Sequence, residues 1–148
     1  MNTTERRVIG IYELITGLFG AIFILFGIFT NKHDSFESLM SLMLGVAMFI
    51  GVAFAGYAMM NNYKKATRYS ILAQGFQVVS VMVGGMFYKF VGGAFISILY
   101  KGGEVKFYST VTAIDYAITK VGTNEFVFQV YLVPLVILLV LLYRHFGK

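Results

Sequence analysis

The chain has no cysteine, no tryptophan, one proline and two histidines in 148 residues. Without cysteine, disulfide frameworks, thiol redox chemistry, thiolate metal sites and cysteine nucleophiles are excluded together. Charge is scarce as well: 13% of residues are Asp, Glu, Lys or Arg, against ~25% in an average soluble domain. Apolar residues fill the difference. They make up 58% of the chain, and mean hydropathy is +0.76. This is the composition of an integral membrane protein, and the length allows a single domain, 1–148. No cleavable signal peptide is expected, because Glu5, Arg6 and Arg7 lead into a long apolar stretch without a small-residue cleavage pattern.

A helix needs ~20 apolar residues to cross a hydrocarbon core of ~30 Å. Four stretches reach that length, about 8–29, 39–60, 69–88 and 126–143. The expected fold is therefore all-α, a four-transmembrane-helix bundle with residues 89–125 as an extracytoplasmic segment. Asp34 and Glu37 are placed to cap the second helix. Pro134, mid-span in the fourth stretch, predicts a kink. Basic residues near membrane-helix ends are retained in the cytoplasm. Arg6, Arg7, Lys64, Lys65, Arg68, Arg144 and Lys148 collect on the side of the termini, where Glu5 is the one acid. Lys32, Lys89, Lys101, Lys106 and Lys120 fall on the other side, balanced by Asp34, Glu37, Glu104, Asp115 and Glu125. The expectation is a multi-pass inner-membrane protein with both termini cytoplasmic. A pI of about 9.5 then belongs to a face that meets anionic lipid headgroups. No nucleic-acid partner is expected, since the cations are scattered around helix ends.

Between the third and fourth stretches, "AFISILYKGGEVKFYSTV" reads as a β-hairpin turning at Gly102 and Gly103. In that register Lys101 faces Glu104 across the strands, and Ala94, Ile96, Ile98, Tyr100, Val105, Phe107 and Val111 share one face. An isolated hairpin is marginal in water, so that face requires something to pack on. Thr112 and Asp115 then resemble a helix start, and Ile114, Ala117, Ile118 and Val121 recur at helical spacing, predicting a short amphipathic helix before Gly122.

Inside the membrane stretches the informative residues are small or polar. Ala47, Gly51 and Ala55 form two small-xxx-small steps, a pattern that lets another helix backbone approach closely. Gly10, Glu13, Gly17, Gly20 and Gly27 fall on one seam of the first stretch, which turns Glu13 toward protein. Ser70, Gln74, Gln77 and Gly84 form a matching stripe on the third, at a similar depth. A carboxylate within a membrane helix costs up to ~2.5 to 3.5 kcal/mol and is a candidate site by default. Glu13, Gln74, Gln77 and Arg68 are therefore the candidate intramembrane polar site. Two roles fit: a packing residue held by Gln74, Gln77 or Arg68, or a proton or cation site in a hydrated crevice.

A lone carboxylate in the first of four helices resembles the small multidrug resistance transporters, and that resemblance implies proton-coupled export through Glu13. The chain departs from them in lacking Trp and in carrying the 89–125 segment. The four-stretch layout with a β-rich outer segment is also similar to the claudin-like bundle, where the sheet follows the first helix and carries a Cys pair. No family is recognised. Enzyme motifs are missing: His33 and His145 fall on opposite sides of the expected topology, and no metalloprotease, nucleophile-elbow or phosphate-cradle pattern occurs. No metal and no cofactor are expected. The leading functional expectation is a non-enzymatic oligomeric membrane module, a pore or the membrane subunit of a larger assembly, in contact with lipid and with copies of itself or another membrane protein. The alternative is a small proton- or cation-coupled transporter centred on Glu13.

Overall fold

A computed structural model describes residues 1–30, 36–83, 86–120 and 126–147. The chain runs α1 (Thr3–Thr30), α2 (Phe36–Met60), α3 (Ala66–Val78), β1 (Val79–Val83), β2 (Met86–Lys101), β3 (Glu104–Lys120), β4 (Val127–Tyr131) and α4 (Leu132–Phe146). Among the described residues two helices are long and apolar enough to cross a membrane, Thr3–Thr30 and the Leu39–Met60 part of α2. At 1.5 Å per residue they extend ~42 and ~33 Å. The N-terminal segment, the 61–65 turn and the end of α4 meet at one end of the molecule. There Arg144 Nη2 donates to Glu5 Oε1 at 2.7 Å, and Ile9, Ala58, Met59, Ala66 and Leu141 form a buried cluster.

The four-helix, all-α expectation does not hold, because the third and fourth apolar stretches change structure midway. α3 ends at Val78, and the chain continues without a break into β1, whose alternation of buried Ser80 and Met82 with more open valines is that of a strand. The mirror change occurs at the other end: β4 runs directly into α4. Hydropathy is blind to this. "VVSVMV" and "VFQVY" are as apolar as a helix would be, but they are rich in β-branched and aromatic residues and have pairing partners. Pro134 is consequently no kink. It is the third residue of α4, in the first turn, where its missing N–H has no intrahelical acceptor to lose.

The expected hairpin is present and longer than expected. Lys101 pairs with Glu104 across Gly102 and Gly103, and the ladder continues back to Met86↔Lys120. The short amphipathic helix is therefore overturned: residues 112–120 are the second half of β3, paired along 86–93. Ile114 and Ile118 fit a period of two with Tyr116 between them as well as a period of 3.6 with Ala117, and the partner strand decides between the two. The Asp34 cap and the end of the expected short helix at Val121 and Gly122 lie outside the described residues.

The long β2–β3 ribbon is interrupted by a register shift between Gly93 and Phe95. One half of β2 then pairs with β1 (Tyr88↔Val81) and the other with β4 (Ser97↔Tyr131), while β1 and β4 pair with each other (Val79↔Val130). Read across, the antiparallel segments follow the order 104–110, 95–101, 127–131, 79–83, 86–93 and 113–120, so the sheet curls back on itself. Its bend rests on the helices. Gly93 has φ +95°, and a Cβ there would stand 2.7 Å from Thr16 Cγ2 and 2.9 Å from the Tyr12 hydroxyl. Both the backbone conformation and the close approach demand glycine. Phe49 of α2 packs against Phe90, with ring centroids 4.6 Å apart, at the centre of the main core with Val46, Val52 and Ala73.

Candidate functional site

Glu13 sits where α1 meets α3 and is fully buried. Ser70 Oγ donates to its Oε2 at 2.6 Å, and Gln74 Nε2 donates to its Oε1 at 2.9 Å. Both donors come from one α3 face because positions four apart lie above one another on a helix. Gln77, one turn further along, turns to the bend of β2, where its Oε1 accepts from Gly92 N–H at 3.3 Å. The Gly92 carbonyl accepts from the Tyr12 hydroxyl at 3.1 Å. The sheet geometry explains these bonds. Gly92 lies between the part of β2 paired with β1 and the part paired with β4, so one edge of its backbone has no strand beside it. A buried backbone edge requires partners, and two side chains supply them. Thr16 closes the seam by donating to the Tyr12 carbonyl at 2.8 Å.

A polar seam thus joins α1, α3 and the bend of β2 inside an apolar exterior. Two polar atoms on it, Gln74 Oε1 and Gln77 Nε2, are buried without a hydrogen-bond partner. A second polar knot lies within the sheet, where Gln129 Nε2 donates to Ser97 Oγ at 2.7 Å and the Tyr131 hydroxyl donates to Gln129 Oε1 at 3.2 Å.

Of the residues singled out from sequence, Glu13 and Gln74 are in direct contact, Gln77 is on the same seam but bonded to Gly92, and Arg68 is exposed and not a partner of Glu13. Ser70, Tyr12, Thr16 and Gly92 complete the seam. Ser70 is legible from its place on the Gln74 stripe, whereas Tyr12 and Gly92 depend on where the strand bends. Gly10, Gly17 and Gly20 face α2, where a Cβ would meet the Gly56 carbonyl, the Ala53 backbone and the Phe49 ring respectively. On α2 the close approach to α1 is made through Phe49, Ala53 and Gly56. Ala55 is buried in the main core, while Ala47 and Gly51 are exposed and a Cβ at Gly51 would meet nothing within 4 Å. Gly102 and Gly103 form the hairpin turn at φ +58° and +87°. His145 stacks edge-on with Phe146, and His33 lies outside the described residues.

The outer half of the hairpin is inverted relative to a soluble sheet. Ser97 is buried, while Ile96, Tyr100, Val105 and Phe107 are 50%, 41%, 58% and 73% exposed. The helices show the same inversion, with Phe19, Phe23 and Phe26 of α1, Leu72 and Phe76 of α3 and Leu139 of α4 all exposed. Comparison with protein families, with characterised proteins and with solved structures returns no match.

Proposed function

We propose that the chain is a non-enzymatic membrane module that assembles with a second copy of itself through the outer half of its β2–β3 hairpin. Support for membrane embedding comes from the inversion: a carboxyl- and amide-bearing seam inside, large apolar side chains outside on every helix. α1 and α2 have the length to cross the bilayer. β1 and β4 are paired on both edges, which meets the demand that backbone at membrane depth be satisfied within the protein. By the distribution of Lys and Arg, the end that gathers both termini and the 61–65 turn faces the cytoplasm.

The observation that carries the assembly reading is the uncovered face of Ile96, Tyr100, Val105 and Phe107 beside a β3 edge that pairs with no further strand among the described residues. An exposed apolar edge strand is a template for another strand. A second copy fits it, because antiparallel pairing about a two-fold axis covers both edges in one step. Glu104 and Lys106 pair with each other at 2.8 Å, so that edge carries no net charge there to repel a second copy. Glu13 in this reading is a packing residue, since both its oxygens are engaged. The carrier reading draws on the unpartnered Gln74 Oε1 and Gln77 Nε2 beside it.

The absence of cysteine makes the test clean. Lys106→Cys should form a disulfide between two copies under mild oxidation, and the particle in detergent should have the mass of a dimer or larger. Val105→Glu with Phe107→Glu should reduce it to a monomer that still inserts. A monomeric wild-type particle and no Lys106→Cys crosslink overturn the assembly reading.

A further inference from the structure

We propose that the groove between α2 and α3 holds an acyl chain of an anionic phospholipid, with its phosphate on Lys64, Lys65 and Arg68. The proposal rests on the membrane embedding argued above. Two hollows, of about 370 and 520 Å³, share Met48 and Phe76 and together run from Tyr69 and Phe54 to Val79 and Tyr88. Two glycines leave the trough open. Gly51 on α2 and Gly75 on α3 each line a hollow, and a Cβ at either would meet nothing within 4 Å. Neither glycine lets a neighbouring helix approach, so close packing within the chain does not account for them.

The groove has a cationic end. Lys65, Tyr69, Leu72 and Phe76 follow one another at spacings of four, three and four, and Arg68 lies three residues after Lys65 and four before Leu72, so the cations continue the stripe that lines the trough. Lys64, Lys65 and Arg68 are exposed, carry no ion pair among the described residues, and have no acid between positions 61 and 68. Arg68 to Val78 spans ~15 Å of helix, about half of a ~30 Å hydrocarbon core and hence the depth of one leaflet. An occupant must therefore be thin, apolar along one leaflet and anionic at the cytoplasmic end. A second helix, ~10 Å across, does not enter hollows of this size. An anionic phospholipid matches on all three counts, and cytoplasmic leaflets contain such lipids.

The test is titration of the purified full-length protein in neutral detergent with phosphatidylglycerol or phosphatidylcholine, read by native mass spectrometry. Phosphatidylglycerol should bind in preference, and Lys64→Gln, Lys65→Gln and Arg68→Gln should each weaken it roughly fivefold, the equivalent of ~1 kcal/mol per cation. Gly51→Leu with Gly75→Leu should displace the lipid while leaving thermal stability at or above wild type. Equal binding of the two lipids overturns the headgroup site. Phosphatidylglycerol binding undiminished by the double leucine variant, or matched by glycerol phosphate alone, overturns the groove. Carbonate-washed membrane fractionation separates the two levels: a membrane-retained protein that shows no lipid preference overturns this proposal alone, while a protein released to the soluble fraction overturns the embedding on which it rests.

Discussion

Replacing Glu13 by leucine removes two acceptors from a site where Ser70 Oγ and Gln74 Nε2 donate at 2.6 and 2.9 Å. A hydrogen bond between membrane helices is worth ~0.6 kcal/mol on average and at most ~1.7, because stranded partners usually find another bond. Ser70 has that escape, since its hydroxyl can turn to a carbonyl one turn back in α3. Gln74 does not: its Oε1 already lacks a partner, so losing Glu13 strands the whole amide in a fully buried position. A stranded buried group costs about 1 to 3 kcal/mol. Adding the serine bond, Glu13→Leu should destabilise by about 2 to 4 kcal/mol. Glu13→Gln should cost under ~1 kcal/mol, with its oxygen accepting from Gln74 and its amide donating to Ser70, whose hydroxyl accepts as readily as it donates. The double variant Glu13→Leu, Gln74→Leu should be no worse than Glu13→Leu alone, because removing both partners leaves nothing unpaired. Thermal unfolding of the four proteins in detergent measures the series. A Glu13→Leu protein as stable as wild type refutes the argument. A Glu13→Gln protein that folds normally but loses its cellular phenotype refutes the packing role and favours a proton or cation site.

The α1–α2 contact yields a second contrast. Gly17→Val drives a side chain into the Ala53 backbone, and Gly56→Val into that of Leu14; each should lower stability by ~1 to 3 kcal/mol as overpacking does, and unchanged unfolding temperatures would refute the contact. The third expectation concerns pH. The Asn2 backbone N–H, and after it the Arg144 guanidinium, hold Glu5 below the ordinary carboxylate range. A lowered folded value means stability that is fully present above the unfolded pKa of ~4.3 and lost as pH falls through the folded value. Both side chains are partly open to solvent, so the effect is small. Glu5→Gln should flatten the acid side of the stability profile, and a profile identical to wild type would show that the ion pair contributes nothing.

How much of this was legible follows from which signals are local. The two long helices were, since each is continuously apolar and its seam residues repeat at helical spacing. The hairpin turn was, because Gly102 and Gly103 lie between runs of β-branched and aromatic residues. The α3 stripe facing Glu13 was, since positions 70, 74 and 77 repeat at three and four. The strand identity of 79–83 and 127–131 was not read from hydropathy, although "VVSVMV" favours a strand and Pro134 marks a helix beginning near 132. Which face of α2 meets α1 was not legible either: Ala47 and Gly51 satisfy a small-residue pattern as well as Phe49, Ala53 and Gly56 satisfy the contact.

By itself, then, the sequence determined composition, periodicity and turn chemistry: an apolar exterior, few charges, one carboxylate on an inward seam and a two-glycine turn. These are properties of a residue and its near neighbours. The tertiary structure decided what depends on partners far along the chain. Val79 becomes strand because Val130 lies beside it, residues 112–120 because 86–93 do, and Gln77 turns to Gly92 because the bend of β2 exposes a backbone edge there. Apolar segments of similar hydropathy form helix when alone and sheet when paired, and pairing across 50 residues is a property of the folded molecule.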